Sequence, residues 1–317
     1  MTILEFKKQC ISTLSKTSPS PSLDAEVLLE YALKLSKTQL LLDSNKEIPG
    51  EQLSWLNDAV QKRSTGLPVA YITGIKEFYG YDFFVSPKVL IPKPDTEILV
   101  ERAIEIIIEK IDAHPGKILS VLDLCTGSGC IGLSVLKNLM KKIHIEPCSL
   151  PKFTLTDISQ DALEIARKNA DHLILEGKSQ AQKNLLESKL SFIQSNLFEQ
   201  LNYEYDVILS NPPYIPHSMV DDLLKDGRNE PRLALDGDIN LFGNRATDKD
   251  GNEKDDGLSI IQNLILQSKA ALCPMGTILI ETGEYNAEQT AAFAEHNGYQ
   301  TRIHRDLEGQ FRVVEMN

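Results

Sequence analysis

A short apolar run of the sequence is followed by four residues that could bind a planar NH2 group, Asn211-Pro212-Pro213-Tyr214. Two adjacent prolines form a stiff, extended bend without N–H donors. The groups left to face a ligand are the Asn211 side chain, backbone carbonyl oxygens and the Tyr214 ring, which would pack against the planar group. We therefore predict substrate binding by all four residues, with Asn211, Pro212 and Tyr214 as catalytic residues.

The nitrogen of such a planar group is a poor nucleophile because its lone pair is delocalised. Acceptors from the Asn211 side-chain oxygen and the Pro212 carbonyl would hold both of its hydrogens, orient the lone pair and stabilise the positive charge that develops during alkylation. No metal and no strong general base are required, because the nitrogen becomes acidic as it gains a methyl group. Taken alone, the motif could also be a proline turn that ends a buried strand.

A glycine-rich loop, Asp123 to Gly129, follows an earlier apolar run. Glycines allow a sharp turn and a close approach of the backbone to a ligand. The loop, extended to Gly132, also matches the Gly-x-Gly-x-x-Gly pattern of dinucleotide enzymes. Those enzymes place an acid about 20 residues further on, whereas the next acid at a strand end is Asp157. An acid before the glycines suits a cationic amino group, and S-adenosylmethionine carries one beside its sulfonium.

Two further strand ends carry polar side chains. Asp157 is a carboxylate that could accept hydrogen bonds from both hydroxyls of a ribose, although a helix cap near Ser159 is its alternative role. Asn196, between Ser195 and Leu197, could meet the edge of an adenine whose face rests on apolar neighbours. A plain turn is the alternative for this segment.

From about residue 117 onward, strands alternate with helices, which predicts an α/β fold with a mainly parallel sheet. Ligands of such sheets bind at the carboxyl ends of the strands. The predicted strands are 118–124, 153–157, 190–193, 205–210, 277–281, 299–304 and 311–315, with one helix predicted over 161–175.

The first 70 residues lack strand alternation and predict helices, one capped by Ser22 and one over about 51–63. Two aromatic, β-prone stretches, 71–74 and 77–85, predict a hairpin, with Gly74 at the end of the first stretch as the point where the chain turns. We therefore expect three parts: a helical domain at 1–70, a β-hairpin linker at 71–92 and a catalytic domain at 93–317.

The composition limits the partners. The chain has 317 residues, with 33 Lys+Arg and 45 Asp+Glu, a net charge of −12. This balance disfavours a protein that grips a nucleic-acid backbone by charge. The five scattered cysteines are odd in number and fit a reducing, cytoplasmic location. No signal peptide and no apolar run long enough for a bilayer is apparent.

The motif at Asn211, together with Asp123 and its glycine loop, resembles class I methyltransferases that act on planar exocyclic or amide nitrogens. Further stretches are similar to bacterial release factor glutamine methyltransferases, the PrmC family, over nearly the whole chain. These stretches are 63–74, 77–80, 90–97, 230–235 and 306–314.

The resemblance implies a Rossmann-like domain with a mostly parallel seven-stranded sheet, S-adenosylmethionine as the methyl donor and S-adenosylhomocysteine as the product. The substrate would be the glutamine of the Gly-Gly-Gln motif in bacterial peptide-chain release factors, docked in part by the helical domain. The residues implied to bind the cofactor, beside Asp123, are Cys125, Thr126, Gly127, Ser128, Gly129, Asp157, Asn196, Leu197 and Asn211.

The chain departs from the family at several positions. Lys93 and Asp95 stand where the family usually has Arg and Glu, and Lys lacks the planar fork of Arg. Asn196 stands where an Asp is frequent, so that contact loses a charge. An extra polar stretch, 238–255, is interpreted as a solvated surface insertion, because its glycine is misplaced for a calcium-binding loop.

Other functions stay open at this point. A nucleic-acid exocyclic-amine methyltransferase would share cofactor and mechanism, but it must also hold phosphates, and we find no basic cluster with interleaved aromatics. A non-catalytic adaptor for translation factors would not need the Asn211 motif. A nicotinamide oxidoreductase is supported by the glycine spacing alone.

Overall fold

The computed structural model of the chain describes residues 1–142, 146–202, 204–240 and 242–317. Two compact units divide it. The first comprises Met1–Ile75 and Asp222–Asn229, and the second comprises Lys76–Asp221 and Glu230–Asn317. A short segment from late in the chain therefore belongs with the N-terminal residues. Among the described residues, no helix is both long and apolar enough to cross a membrane.

The N-terminal residues are helical, as the sequence predicts. The helices are α1 (Ile3–Leu14), α2 (Pro21–Leu33), α3 (Lys37–Leu42), α4 (Gly50–Ser64) and α5 (Val69–Thr73). Their core is apolar and includes Phe6, Leu14, Leu28 and Leu56. The prediction of Ser22 as a helix cap is wrong: α2 begins one residue earlier, at Pro21. Proline at the first position of a helix has its φ angle already set and needs no N–H partner.

A buried ion pair and a close backbone crossing stabilise this first unit. Arg63 Nε donates to Asp24 Oδ2 at 2.6 Å, and both side chains are nearly buried. The segment Asp222–Asn229 crosses the end of α4, where a Cβ on Gly66 would lie 1.9 Å from the Asp226 carbonyl oxygen. Gly66 and Gly227 also have positive φ angles. Only glycine allows the two backbones to approach so closely.

The hairpin exists, but its first strand lies later than predicted. Tyr71 and its neighbours form the end of α5, and the hairpin consists of β1 (Ile75–Phe78) and β2 (Tyr81–Phe84). Its turn is Tyr79-Gly80, where both residues have positive φ angles, as a two-residue hairpin turn requires. Packing overrides the β propensity of the earlier stretch, because Val69 and Ile72 face the apolar core of the helical unit.

Seven strands form the sheet of the second unit within the part of the chain that the structure describes. They are β3 (Ser120–Leu124), β4 (Lys152–Asp157), β5 (Leu190–Gln194), β6 (Tyr205–Ser210), β7 (Leu272–Glu281), β8 (Thr301–Arg305) and β9 (Phe311–Met316). Their order is β5-β4-β3-β6-β7-β9-β8, and only β9 runs antiparallel to its neighbours. The predicted mostly parallel α/β sheet is confirmed. The strand order reverses between β3 and β6, the position at which such folds bind ligands.

Helices cover both faces of this sheet. They are α6 (Glu97–Ala113), α7 (Cys130–Leu139), α8 (Gln160–Ala170), α9 (Gln180–Glu187), α11 (Ser259–Ser268) and α12 (Ala287–His296). A further short helix, α10 (His217–Leu224), follows the Asn211 motif in the chain. The helix predicted over 161–175 is α8, continued by one wider π-helical turn, Asp171–Leu175. Val121 and Leu122 belong to separate cores on opposite faces, because successive side chains of a strand alternate. Strands buried on both faces explain the continuous apolar runs of the sequence.

Most described residues of the insertion 238–255 are exposed, as the interpretation of a solvated surface insertion predicts, but its base is buried. Asp238 is fully buried, and its Oδ2 accepts hydrogen bonds from the backbone N–H groups of Gly257 at 2.9 Å and His217 at 3.3 Å. Ala246 is also buried, and its N–H donates to the Asp238 carbonyl at 2.9 Å. The base of the insertion is therefore anchored in the protein, while the tip at Phe242 is exposed.

Candidate active site

A cavity opens in the second unit at the carboxyl ends of β3, β4, β5 and β6. The pairing register brings these ends together: Leu124 lies beside Thr156 and Ser210, and Asp157 beside Gln194. The sequence-predicted residues that line the cavity are Cys125, Thr126, Gly127, Ser128, Asp157, Asn196, Leu197, Asn211 and Pro213. The predicted residues outside its lining are Asp123, Gly129, Pro212 and Tyr214.

Asp123 stabilises the glycine loop from its buried side, away from the cavity. It is fully buried, and its Oδ2 accepts from Thr126 Oγ1 at 2.6 Å and from the Gly132 N–H at 2.9 Å. Burial raises the pKa of Asp123 to about 7, against the lowering effect of these two hydrogen bonds. A Cβ on Gly132 would lie 2.9 Å from the same Oδ2 atom. The third glycine thus makes room for a carboxylate, which accounts for the dinucleotide-like spacing without a pyrophosphate.

Asp157 connects the loop to the end of β4. Its Oδ2 accepts from the Gly127 N–H and its Oδ1 from the Ser159 N–H, both at 2.9 Å. Each carboxylate oxygen keeps a second acceptor position, so the pair can accept two hydroxyl groups from a ligand. Burial raises the pKa of Asp157, while the backbone N–H donors lower it. The helix cap that was its alternative role belongs to Ser159, whose Oγ accepts from the Ala162 N–H at 3.2 Å.

The segment after β5 presents an apolar side chain and an amide to the cavity. Leu197 has a positive φ of 49° and is nearly buried. Ser195 stabilises this conformation, because its Oγ donates to the Leu197 carbonyl at 2.7 Å. Asn196 Nδ2 donates to Glu199 Oε1 at 3.2 Å, which orients the amide. This combination suits the edge and face of a flat heterocycle.

Asn211 leaves β6 directly beside the glycine loop. Its Nδ2 donates to Thr96 Oγ1 at 3.3 Å. Because the side-chain nitrogen is engaged in this way, the Oδ1 atom is the group available to accept from a ligand. Ser210 Oγ donates to the Leu124 carbonyl at 2.8 Å, which ties β6 to β3 at this point.

Tyr214 is held by three groups outside the motif. Its hydroxyl donates to Glu281 Oε1 at 3.2 Å. Its backbone carbonyl accepts from Asn286 Nδ2 at 3.1 Å and from the Tyr285 hydroxyl at 3.4 Å. Burial and the negative charge of Glu281 raise the Tyr214 pKa well above its ordinary value. The phenol is therefore a neutral donor, and the bend after Asn211 is anchored at its far end.

Sequence reasoning missed Thr96 and Glu281 as members of this site. Both side chains are about 1% exposed. Glu281 ends the apolar run of β7, so the signal that singled out Asp123 and Asp157, an acid at the end of a buried strand, was present. Thr96 carried no such signal, because it lies in a single turn before α6.

The positions at which the chain departs from the family pattern also have partners. Lys93 lines the cavity and its Nζ donates to Glu230 Oε1 at 3.2 Å. Asp95 lies 3.4 Å from the Arg312 guanidinium, which also binds Asp306 at 3.1 Å. Both departures therefore keep an ionic partner.

Comparison with known proteins gives consistent similarities. Residues 5–74 match the family model described as the PrmC N-terminal domain, and residues 99–248 match the methyltransferase small domain. The chain is 35% identical to the release factor glutamine methyltransferase of Rhodopirellula baltica, over 95% of this chain and 90% of that protein. It is 33% identical to the protein of the same name from Salmonella typhimurium, over 94% of this chain and 93% of that one. It also matches the bifunctional methyltransferase of Rickettsia typhi at 32% identity, over 94% of this chain but about half, 53%, of that protein.

Proposed function

The chain belongs to the release factor glutamine methyltransferase family, and on this premise we propose that it methylates the glutamine of the Gly-Gly-Gln motif in bacterial peptide-chain release factors. The methyl group moves from S-adenosylmethionine to the side-chain nitrogen, N5, of that glutamine. The observation that carries this proposal is the placement of Asn211 in the same cavity as Asp157 and the glycine loop.

The polar and apolar groups of the cavity suit S-adenosylmethionine. The second acceptor positions of Asp157 match two ribose hydroxyls, while Leu197 and Asn196 match the face and edge of an adenine. The loop from Cys125 to Ser128 borders the same cavity. When bound, the cofactor supplies a methyl group on a positively charged sulfur, which is a strong electrophile.

The residues of the chain orient the acceptor nitrogen. Asn211, which lines the cavity, accepts one amide hydrogen through Oδ1. We assign the second hydrogen to the Pro212 carbonyl and the flat face of the amide to the Tyr214 ring, two groups next to the cavity lining rather than in it. Both oxygens stabilise the positive charge that grows on nitrogen as the N–C bond forms and the S–C bond breaks. The methylated nitrogen then loses one proton to solvent, so that a neutral N5-methylglutamine and S-adenosylhomocysteine are the products.

Release factors are proteins of the cytoplasm, and we place this chain there with them. The helical unit, α1 to α5, is the part that we assign to docking the release factor. Its match to a domain model of its own, separate from that of the methyltransferase part, supports a distinct task. The net charge of −12 favours this protein substrate over the alternative, a nucleic-acid base.

Methyl transfer from radiolabelled S-adenosylmethionine tests the proposal. Purified protein should label an intact bacterial release factor but neither a release factor with Gly-Gly-Ala in place of Gly-Gly-Gln nor DNA. Mass spectrometry should locate one added methyl group on the glutamine. Label in DNA and none in the release factor would refute the proposal.

The role of Asn211 has its own test. Asn211→Ala should lower the turnover rate about 100-fold or more, as the loss of an oriented transition-state partner does, and change cofactor affinity little. Asn184→Ala, at an exposed position of α9, is the matched control and should be fully active. Full activity of Asn211→Ala would contradict the assignment.

A further inference from the structure

The side chain of Asn211 has a donor end and an acceptor end of nearly the same shape. Only the oxygen can accept a hydrogen of the substrate amide. If the side-chain amide were rotated by 180°, its NH2 group would face the NH2 group of the substrate and repel it. Resting on the proposed function, we infer that Glu281, acting through the hydroxyl of Thr96, fixes the Asn211 amide with its oxygen toward the substrate nitrogen.

The sheet places these residues side by side. β6 and β7 pair in parallel with Ser210 beside Ile280, so that Asn211 and Glu281 leave the sheet next to each other. Thr96 arrives from the turn before α6, and its Oγ1 accepts from Asn211 Nδ2 at 3.3 Å. Three residues far apart in sequence thus lie at the carboxyl ends of two central strands, β6 and β7.

Glu281 determines which way the hydroxyl points. Its side chain is about 1% exposed, and Oε1 accepts from the Tyr214 hydroxyl at 3.2 Å. Oε2 is buried and has no partner within hydrogen-bond geometry among the described residues. Thr96 is near enough to lower the Glu281 pKa through its hydroxyl. A hydrogen bond from that hydroxyl to Oε2 would satisfy the buried, unpartnered carboxylate oxygen.

The direction of the chain then follows from the hydrogen-bond inventory. An ionised carboxylate only accepts, and a threonine hydroxyl carries a single hydrogen. If Thr96 gives that hydrogen to Glu281, it can only accept from Asn211, and the Asn211 amide must present Nδ2 to it. Asn211 Oδ1 is thereby left for the substrate. Thr96 and Glu281 act as positioning residues, because neither is assigned to touch the reacting atoms.

The ionisation state of Glu281 should therefore affect the reaction. Burial raises its pKa to about 7, while Thr96, Tyr214 and the charge of Arg312 lower it and Asp95 raises it. The ionised form, which orders the chain, is present above that pH. The methylation rate of the wild type should rise as the pH increases through about 7, and Glu281→Gln should lose this rise.

Three threonine variants separate the hydroxyl from packing. Thr96→Val removes the hydroxyl at nearly constant volume. It should lower the single-turnover rate on the release factor by about 10- to 100-fold, because the substrate amide is then poorly oriented. The dissociation constant for S-adenosylmethionine should not change. Thr96→Ser should recover most of the rate. Thr290→Val is the matched control, because Thr290 is also buried and its hydroxyl has no partner among the described residues.

The outcomes distinguish this inference from the proposed function. Absence of wild-type labelling of the release factor would refute the function itself. With an active wild type, a fully active Thr96→Val would overturn the inference. Equal losses in Thr96→Val and Thr96→Ser would also overturn it, because packing would then be the cause. Because the pKa of Asp123 is also about 7, the comparison with the wild type decides: a folded Glu281→Gln whose pH profile matches that of the wild type would contradict the role of the carboxylate.

Discussion

Asp157→Asn is the substitution that probes cofactor binding most directly. The carboxylate uses one acceptor position on each oxygen for the N–H groups of Gly127 and Ser159, both at 2.9 Å. In asparagine one oxygen becomes an NH2 group, which faces a backbone N–H as donor against donor. The same change removes the negative charge from the position that we assign to the ribose hydroxyls.

The size of the effect can be worked from these contacts. A hydrogen bond to a charged group contributes about 1.5–3 kcal/mol, and 1.4 kcal/mol corresponds to a tenfold change in affinity. Loss of one ribose contact, with the neighbouring N–H group left poorly paired, predicts that S-adenosylmethionine binds about 10- to 100-fold more weakly. The release factor need not be present, so the measurement is independent of the methyl acceptor.

Isothermal titration calorimetry with S-adenosylmethionine provides the assay. Asp112→Asn, at an exposed position of α6, is the control and should bind like the wild type. Far-ultraviolet circular dichroism and the thermal midpoint should show that both variants are folded. An unchanged dissociation constant for a folded Asp157→Asn would refute the ribose assignment.

Two further predictions concern the backbone crossing and the thiols. Gly227→Ala should lower the free energy of unfolding, measured by urea denaturation, by at least about 2 kcal/mol more than Gly74→Ala does. A Cβ at position 227 would lie 2.2 Å from the Thr65 carbonyl oxygen, whereas a Cβ at position 74 meets no atom within 4 Å and only the positive φ disfavours it. Equal losses of stability in the two variants would contradict the close crossing. Cys148 is exposed, whereas burial raises the pKa of the Cys125 thiol in the cavity wall, so iodoacetamide at pH 8 should modify Cys148 about tenfold faster or more. Peptide mass spectrometry would measure both rates, and similar rates would show that Cys125 is accessible.

Much of the fold could be read from local patterns. The strands of the sheet are predicted within a few residues because each is a short apolar run that ends at a polar residue or a glycine. The strand that ends at Glu281 is longer than predicted. It begins at Leu272, and the prediction started only at residue 277 because the Pro and Gly within the strand locally suggest a turn. Local propensity also failed at Tyr71, in a stretch where packing of Val69 and Ile72 against the helical core favours a helix.

The insertion shows a second limit of local reasoning. Its charged and polar composition is typical of a solvated loop, yet Asp238 is fully buried, and Ile239 and Asn240 line the cavity. The backbone N–H groups that donate to Asp238 Oδ2 come from His217 and Gly257, on either side of it in sequence. Composition does not report partners supplied by other segments.

The sequence by itself determined the chemistry at each strand end: Asp157 after one strand, Asn211 before two prolines, and glycines where the backbone must turn. These features are local, because residue type and spacing along the chain decide what a turn can present. Tertiary structure alone decided which groups orient them. Thr96 lies 115 positions from Asn211, and Glu281 lies 67 positions from Tyr214. Their contacts depend on the order and register of the strands, which arise from burial of the whole sheet and leave no trace in the spacing of neighbouring residues.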